Sequence, residues 1–304
     1  MEKKLKKYKS QILDSIASNY KFDGFFQTKI DYLSLFTCNQ QTNFLYSMYE
    51  PSLCIVLQGS KAVGFDDNLY SYNPSKFLLS CAFLPTTIKI EEASIQKPFY
   101  SLKINLNLEK IYEIIKNVND VKFDARNSQE SGLFFGDMNE DIYELLLRLI
   151  NLCDKDDKQA KYLSELILQE LLYILVLDPQ SGAFLNNFAT TGTISNKITK
   201  AIVEIKSNFT EKLNIKELAD MLEMSESSLY QGFKVVTSFS PIQYQKKIRL
   251  EEAKNMLRLQ KAKVADVAFA VGYESQSQFS REYTRMFGIS PKAHISYMQT
   301  AEIE

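Results

Sequence analysis

The stretch IKELADMLEMSESSLYQGFKVVTSFSP, Ile215 to Pro241, has its grammar repeated in VADVAFAVGYESQSQFSREYTRMFGISP, Val264 to Pro291. Each copy opens with a short helical run carrying an apolar residue beside an alanine, Leu218-Ala219 and Val267-Ala268. A tight turn follows, then a helix started by serine and a Ser-Pro stop. This is the pattern of a helix-turn-helix, in which the second helix needs one face to pack and another, short and polar, to enter a major groove. The duplication therefore points to DNA.

Capping chemistry supports both copies. Asn214 with Glu217, and Ser275 with Gln278, have capping-box spacing. Gly272 supplies the second turn, whereas the first reads Leu222-Glu223-Met224 and lacks the residue that most easily accepts positive φ. If Leu229 and Phe233 are the buried pair of the first reading helix, Ser227, Gln231 and Lys234 lie opposite, flanked by Ser228 and Tyr230. In the second copy Phe279 and Tyr283 are buried, and Ser277, Arg281 and Arg285 lie opposite, with Gln276, Gln278, Ser280 and Thr284 at intermediate angles.

Arginine can fork onto guanine and glutamine can pair with adenine, while serine lets a helix come close to the base edges. Arg281 is the leading base-reading candidate. For a single Ser or Gln an ordinary solvated face is the better reading, and only the repeated constellation argues for contact. Between the copies, Ile248, Leu250, Ala253, Met256 and Leu257 recur at helical spacing. The predicted linker helix is a rod of about 27 Å, from ~1.5 Å per residue, comparable with one DNA turn of roughly 34 Å. Lys246, Lys247, Arg249 and Lys254 on it are candidates for phosphate contacts, although such a run is more often a solvated face.

LADMLEMSESSLYQGFK, SPIQYQKKIRLEEAKNMLR and VADVAFAVGYESQSQFSREYTRMFGISP together resemble the AraC/XylS-type transcription regulators. In that family a DNA-binding domain holds two helix-turn-helix units joined by a long helix. The resemblance implies base-contacting roles at Ser227, Tyr230, Gln231, Gln276, Ser277 and Arg281. Further upstream, SLCIVLQGSKAV, LYSYNPSKFLLS and LPTTIKIEEASIQKPFYSLKINLN resemble the N-terminal domain of one subgroup. Membership implies a sequence-specific regulator whose two reading helices enter successive major grooves. The partners it implies are a double-stranded DNA operator, a second copy of the chain, RNA polymerase and a small-molecule effector whose identity the sequence does not disclose.

Short β-like runs, Leu53–Gln58, Lys61–Phe65, Leu69–Tyr72, Phe77–Ser80, Thr86–Glu92 and Phe99–Leu106, alternate with turn signals. They predict a sandwich or small barrel, and the resemblance makes it a cupin-like barrel. Leu108–Val118, Asn139–Leu152 and Tyr162–Leu177 read as helices, which the resemblance assigns to dimerisation. The predicted class is α+β, a β-rich barrel with following helices and then an all-α domain. Residues 1–181 form the sensory and dimerisation domain, 182–195 a linker rich in turn-forming residues, and 196–300 the DNA-binding domain, with units at about 214–236 and 263–286.

The chain has 304 residues, 45% hydrophobic and 24% charged, an ordinary profile for a globular protein expected in the cytoplasm. The basic start MEKKLKKYKS is not followed by an apolar run suited to a signal peptide, and YLSELILQELLYILVL is too short and too interrupted by Glu165 and Glu170 to span a bilayer comfortably. From Ser195 onward there are 16 Lys and Arg against 13 Asp and Glu, about +3, and before it 20 against 24, about −4. So small an excess requires placed contacts rather than a general basic surface. Cys38, Cys54, Cys81 and Cys153 lack CxxC spacing and read as reduced core residues.

Enzymatic chemistry has little to work with. His294 is the sole histidine and lies beyond the second motif, where it reads as a surface or helix-terminal residue. The barrel therefore lacks the imidazoles of a cupin-type metal site or a His-dependent nucleophile, and Glu91-Glu92 would point to opposite faces of a strand. Catalytic residues, metal ligands and cofactors are accordingly expected to be none. A pocket is the better use of the barrel, with Phe65, Tyr70, Tyr72, Phe77, Phe83, Phe99 and Tyr100 as candidate lining and Lys61, Lys76 or Lys89 as the charge for an anionic effector. Two alternatives are a ligand-independent dimeric regulator and, more remotely, a cupin-type enzyme with a DNA-binding tail.

Overall fold

In the computed structural model the residues described are 2–118, 131–260 and 263–295. They form two compact units, Met1–Asn196 and Lys197–Glu304.

The first unit begins with helix α1 (Glu2–Asn19), whose Ile12 and Ile16 are buried, and holds ten strands among the described residues. Strands β1 (Gly24–Gln27), β2 (Leu33–Cys38), β4 (Ser52–Gln58), β7 (Lys76–Ser80), β9 (Phe99–Asn105) and β10 (Leu133–Asp137) make one antiparallel sheet in the order β1-β2-β9-β4-β7-β10. Strands β3 (Leu45–Tyr49), β5 (Ser60–Phe65), β6 (Asn68–Tyr72) and β8 (Leu84–Glu92) make the other, in the order β3-β8-β5-β6. Asp66 and Asp67, with φ of 51° and 56°, turn β5 into β6, the doubly left-handed turn that matches strand twist.

The six predicted strands are all present. The edge strands β1 and β3, the interior strand β2 and the closing strand β10 were not anticipated. In β10, Phe134 stacks on Phe184 with centroids 5.4 Å apart and Phe135 stacks on Tyr70 at 5.2 Å. Helices α2 (Leu108–Asn117), α3 (Glu140–Leu152) and α4 (Asp157–Leu177) follow, capped by the side chains of Asn107, Asn139 and Asp156.

The predicted linker over 182–195 is corrected. Pro179–Ala189 is a helix, α5, capped by Asp178, and its Phe184, Leu185 and Phe188 are fully buried. Pro179 occupies the first turn of α5, where its missing N–H is harmless. The Ser181 hydroxyl, buried with it, donates to Leu175 O at 2.7 Å. The chain leaves α5 at Thr190 and enters α6 at Ile194, so only a few residues separate the helices.

The second unit is helical throughout its described elements: α6 (Ile194–Ser207), α7 (Ile215–Met221), α8 (Glu226–Thr237), α9 (Pro241–Gln260), α10 (Val264–Ala270) and α11 (Gln276–Phe287). Leu250, Ala253 and Leu257 of α9 share a core with Val267, Ala268, Val271, Tyr273, Phe279 and Tyr283. None of the helices among the described residues is long and apolar enough to cross a membrane.

Candidate nucleic-acid interface and the cavity of the first unit

Helix α7 is started by Asn214, whose side chain accepts from Lys216 N and Glu217 N, while α10 starts at Lys263 without a side-chain cap. Both helices end in the same turn. Met224 N donates to Ala219 O and Tyr273 N to Ala268 O, each at 3.0 Å, so the paired alanines sit at equivalent points beneath the turn. Gly272 has φ +87°, and the residue in its place in the first unit, Glu223, has φ +52°. The first turn thus adopts the left-handed conformation although its sequence carries a side chain there, a strain of about 1 to 2 kcal/mol. Lys197 Nζ donates to Glu223 O at 3.1 Å and helps to hold it.

The reading helices correspond end to end. Ser225 Oγ accepts from Ser228 N at 3.1 Å and Ser275 Oγ from Gln278 N at 3.4 Å. Each helix stops at a left-handed residue, Ser238 at φ +67° and Gly288 at +73°. Leu229 and Phe233, and likewise Phe279 and Tyr283, are completely buried. Register therefore places Ser227 with Ser277, Tyr230 with Ser280 and Gln231 with Arg281.

The other face is open. Ser227, Tyr230, Gln231, Lys234, Gln276, Ser277, Arg281 and Arg285 are exposed, while Ser228 and Ser280 are half-buried near the packed face. Gln278 turns inward and donates to Glu282 at 3.2 Å.

The basic residues of α9 behave differently from their reading as phosphate contacts. Lys246 pairs with Glu282 at 2.9 Å, Lys254 pairs with Glu251 at 3.2 Å, and Lys247 lies over the Phe239 ring, 4.5 Å from its centroid. Arg249 donates to four main-chain carbonyls. Glu282 also accepts from Tyr273 at 2.8 Å. Burial pushes its carboxyl up, but hydrogen bonds from Lys246, Gln278 and Tyr273 outweigh that and hold it below the ordinary range.

His294 is half-buried rather than a free surface residue. Its Nδ1 lies 2.8 Å from the Tyr283 hydroxyl, beneath α11. Burial, and then the Lys254 ammonium, lower its pKa from 6.5.

Between the sheets of the first unit is a cavity of about 220 Å³. Leu35, Phe36, Leu45, Met48, Ile88, Ile90 and Leu102 give it apolar walls, and Tyr49, Glu50, Ser52, Cys54, Lys61, Tyr72 and Lys103 a polar end. Lys103 is paired with Glu50 at 2.8 Å. Lys61, whose ammonium lies 5.3 Å from the centroid of the Tyr49 ring, has no carboxylate partner among the described residues. Burial lowers the Lys61 pKa, with Lys103 adding repulsion, and raises those of the Tyr49 and Tyr72 phenols.

Of the predicted lining only Lys61 and Tyr72 reach this cavity. Ile88 and Ile90 face it, so Lys89 between them projects to the opposite face and lies over Phe44. Lys76 pairs with Asp137 at 2.9 Å on the exposed edge. Lys103 was not among the predicted residues, because its entry into the cavity follows from the facing of β9, which the run SLKIN does not disclose. The four cysteines are free thiols, three of them buried, and burial raises Cys54 and Cys81. No cluster of three or more His, Cys, Asp or Glu able to hold a metal occurs among the described residues.

Known proteins share both units. A family model described as the AraC-type transcriptional regulator N-terminus matches residues 29–183, and one described as a helix-turn-helix domain matches 218–295. The HTH-type transcriptional activator RhaS of Citrobacter koseri is 24% identical over 153 residues, 50% of this chain and 52% of that protein. RhaS of Escherichia coli O1:K1 / APEC is 22% identical over the same length. The chain thus spans about half the length of the curated relatives it matches.

Among solved structures, unsaturated fatty acid bound wild-type ToxT from Vibrio cholerae strain SCE256 aligns with a TM-score of 0.58 at 12% identity, covering 89% of this chain and 94% of that one. An apo ToxT variant from the same strain gives 0.58 at 13% identity. These likenesses show a common fold. With half of the whole chain matched by the N-terminal family model and both helix-turn-helix units in place, the chain belongs to the AraC-type transcription regulators.

Proposed function

We propose that this chain is a sequence-specific DNA-binding transcription regulator, reading with α8 and α11 of the second compact unit and governed by the first. The observation that carries this reading is the duplicated unit, which reproduces the same turn, caps and buried pair while leaving its polar side chains exposed. Arg281 makes the guanine contact, and Gln231, at its register position in the first unit, makes a softer one. Ser227, Ser228, Tyr230, Lys234, Gln276, Ser277, Ser280 and Arg285 complete the contact set. RNA polymerase is a further partner, the work is done in the cytoplasm, and no catalytic step is involved.

The cavity supports a ligand-responsive regulator over a ligand-independent one. Its apolar walls and one unpaired lysine suit an acid with an apolar body held in a cupin-like barrel, and the structural relative ToxT is described as bound to an unsaturated fatty acid. Homodimerisation uses α4, whose exposed Tyr162, Leu163, Leu166, Tyr173 and Leu177 fall on one stripe. Ligand binding then shifts the dimer between geometries that match or mismatch the operator.

Footprinting across the genome would define the operator, and Arg281→Ala tests the reading. The variant should bind that operator about 1 to 3 kcal/mol more weakly and lose preference at one base pair. Undiminished affinity and selectivity would remove Arg281 from the interface.

A further inference from the structure

We infer that Arg249 is a positioning residue that fixes the separation and angle of the two DNA-reading units. It rests on the proposed DNA-binding function and adds to it a reason for the spacing of the two contacts. Arg249 lies on α9 between the units, and its planar guanidinium is spent entirely on main chain. Nε donates to Phe209 O at 2.6 Å, Nη2 to Thr210 O at 3.1 Å and Glu211 O at 2.9 Å, and Nη1 to Gly272 O at 2.7 Å.

Three of these carbonyls belong to the loop that leads from α6 into α7, the first helix of the first unit. The fourth is the turn of the second unit. One side chain therefore ties together the loop of one unit, the connecting helix and the turn of the other.

The surroundings leave this junction little room. A Cβ built on Gly272 would lie 2.3 Å from Thr210 O and 3.0 Å from the guanidinium carbon, so the two main chains meet almost directly. Phe209 packs against the core of the second unit, and Gln245 Nε2 donates to Glu211 O at 2.8 Å from the preceding turn of α9. By contrast, the Lys246–Glu282 pair joins α9 to α11 alone and leaves the loop of the first unit untouched.

A lysine has one compact ammonium and cannot satisfy four diverging carbonyls, so Arg249→Lys should loosen the junction while each unit keeps its own core. Two weak readers on one rigid body gain from a high effective concentration, and a loose hinge loses part of that gain while accepting other spacings.

The test uses the full-length chain. Labels at the exposed Lys216 and Asp266 report the distance between α7 and α10 without DNA. Wild type should give one narrow distribution, and Arg249→Lys a distribution about twice as broad. On duplexes carrying the mapped operator, the variant should bind the native spacing about tenfold more weakly. On duplexes with one base pair added between the half-sites, its further loss should shrink to about twofold, against tenfold or more for wild type. Binding to a single half-site should be unchanged, which also shows that the units remain folded, and Glu282→Gln should leave the spacing penalty as in wild type.

A narrow label distance in Arg249→Lys together with an undiminished spacing penalty would overturn the inference. Loss of half-site binding in Arg249→Lys would overturn it too, since the residue would then be holding a unit together. Failure of wild type to prefer any duplex would refute the DNA-binding reading instead, and the label distances would still decide whether Arg249 holds the units.

Discussion

Gly272 and Glu223 occupy the same left-handed position in the two turns, so exchanging glycine for a side chain, and the reverse, should act with opposite signs. In Gly272→Ala the residue takes on left-handed strain of about 1 to 2 kcal/mol. Its methyl group must also displace Thr210 O, 2.3 Å away and part of the main chain, at a typical overpacking cost of about 1 to 3 kcal/mol. Reduced freedom of the unfolded chain returns about 0.4 to 1 kcal/mol, leaving a net destabilisation of about 1 to 4.5 kcal/mol, about 3 at mid-range. Glu223→Gly keeps the main-chain bonds to Asp220 O and from Lys197, relieves the strain and forfeits about 0.5 to 1 kcal/mol of entropy. It should leave the unit as stable as wild type or about 1 kcal/mol more so. For a domain of this size, 1 kcal/mol moves the midpoint by about 4 °C or more. Calorimetry of the full chain, with amide exchange in α10 and α11 identifying the transition of this unit, should show a fall of about 10 °C for Gly272→Ala and no fall for Glu223→Gly. A Gly272→Ala midpoint within about 2 °C of wild type, or a clear loss in Glu223→Gly, would refute the account of the turn.

His294 should make the second unit sensitive to mild acid. Its folded pKa lies below 6.5, so as pH falls through that value the unfolded chain takes up a proton that the site beside Tyr283 and Lys254 resists, and stability drops; above it the contribution is fully present. Denaturant titrations between about pH 7.5 and 5.5 should show the drop in wild type and a shallower one in His294→Gln; equal slopes would clear His294 of the effect. In the first unit, a long-chain carboxylate should raise the thermal midpoint while the corresponding alcohol does not, and Lys61→Met should abolish that difference without lowering the ligand-free midpoint. Because burial depresses the Lys61 pKa, the stabilisation by carboxylate should fade at a pH below the ordinary lysine range. A carboxylate that still stabilises Lys61→Met would move the anion site elsewhere.

Local rules with a single length scale were legible in the sequence. Asn214, Ser225 and Ser275 cap the helices their side-chain chemistry marks, and the paired apolar positions four apart are the buried ones. The six strands from Leu53 onward alternate with turn residues and were found. What escaped depends on partners distant in the chain. β10 is a strand because β7 lies beside it, and α5 is ordered because Phe184 meets both Phe134 and Phe188. Lys103 enters the cavity and Lys89 leaves it through the facing of strands, which a list of lysines does not carry. The first turn misled in another way. Glycine marks a left-handed residue cheaply, but the repeated bond from Met224 N to Ala219 O holds Glu223 there without it.

The charges of α9 bear on how such a domain can hold DNA. Lys246 and Lys254 are committed to carboxylates, Lys247 to an aromatic ring, and Arg249 to main-chain carbonyls. Four cations of this third of the chain are therefore committed within its own architecture, and Lys234, Arg281 and Arg285 are the cations on the exposed reading faces. Counterion release from so few contacts gives one unit little affinity. Two units held in a fixed relation can each be weak and still bind together, because the second contact is made at high effective concentration. The tie that Arg249 makes then favours recognition of a spaced pair of half-sites: this cation, withdrawn from phosphate contact, is the one that keeps the spacing constant.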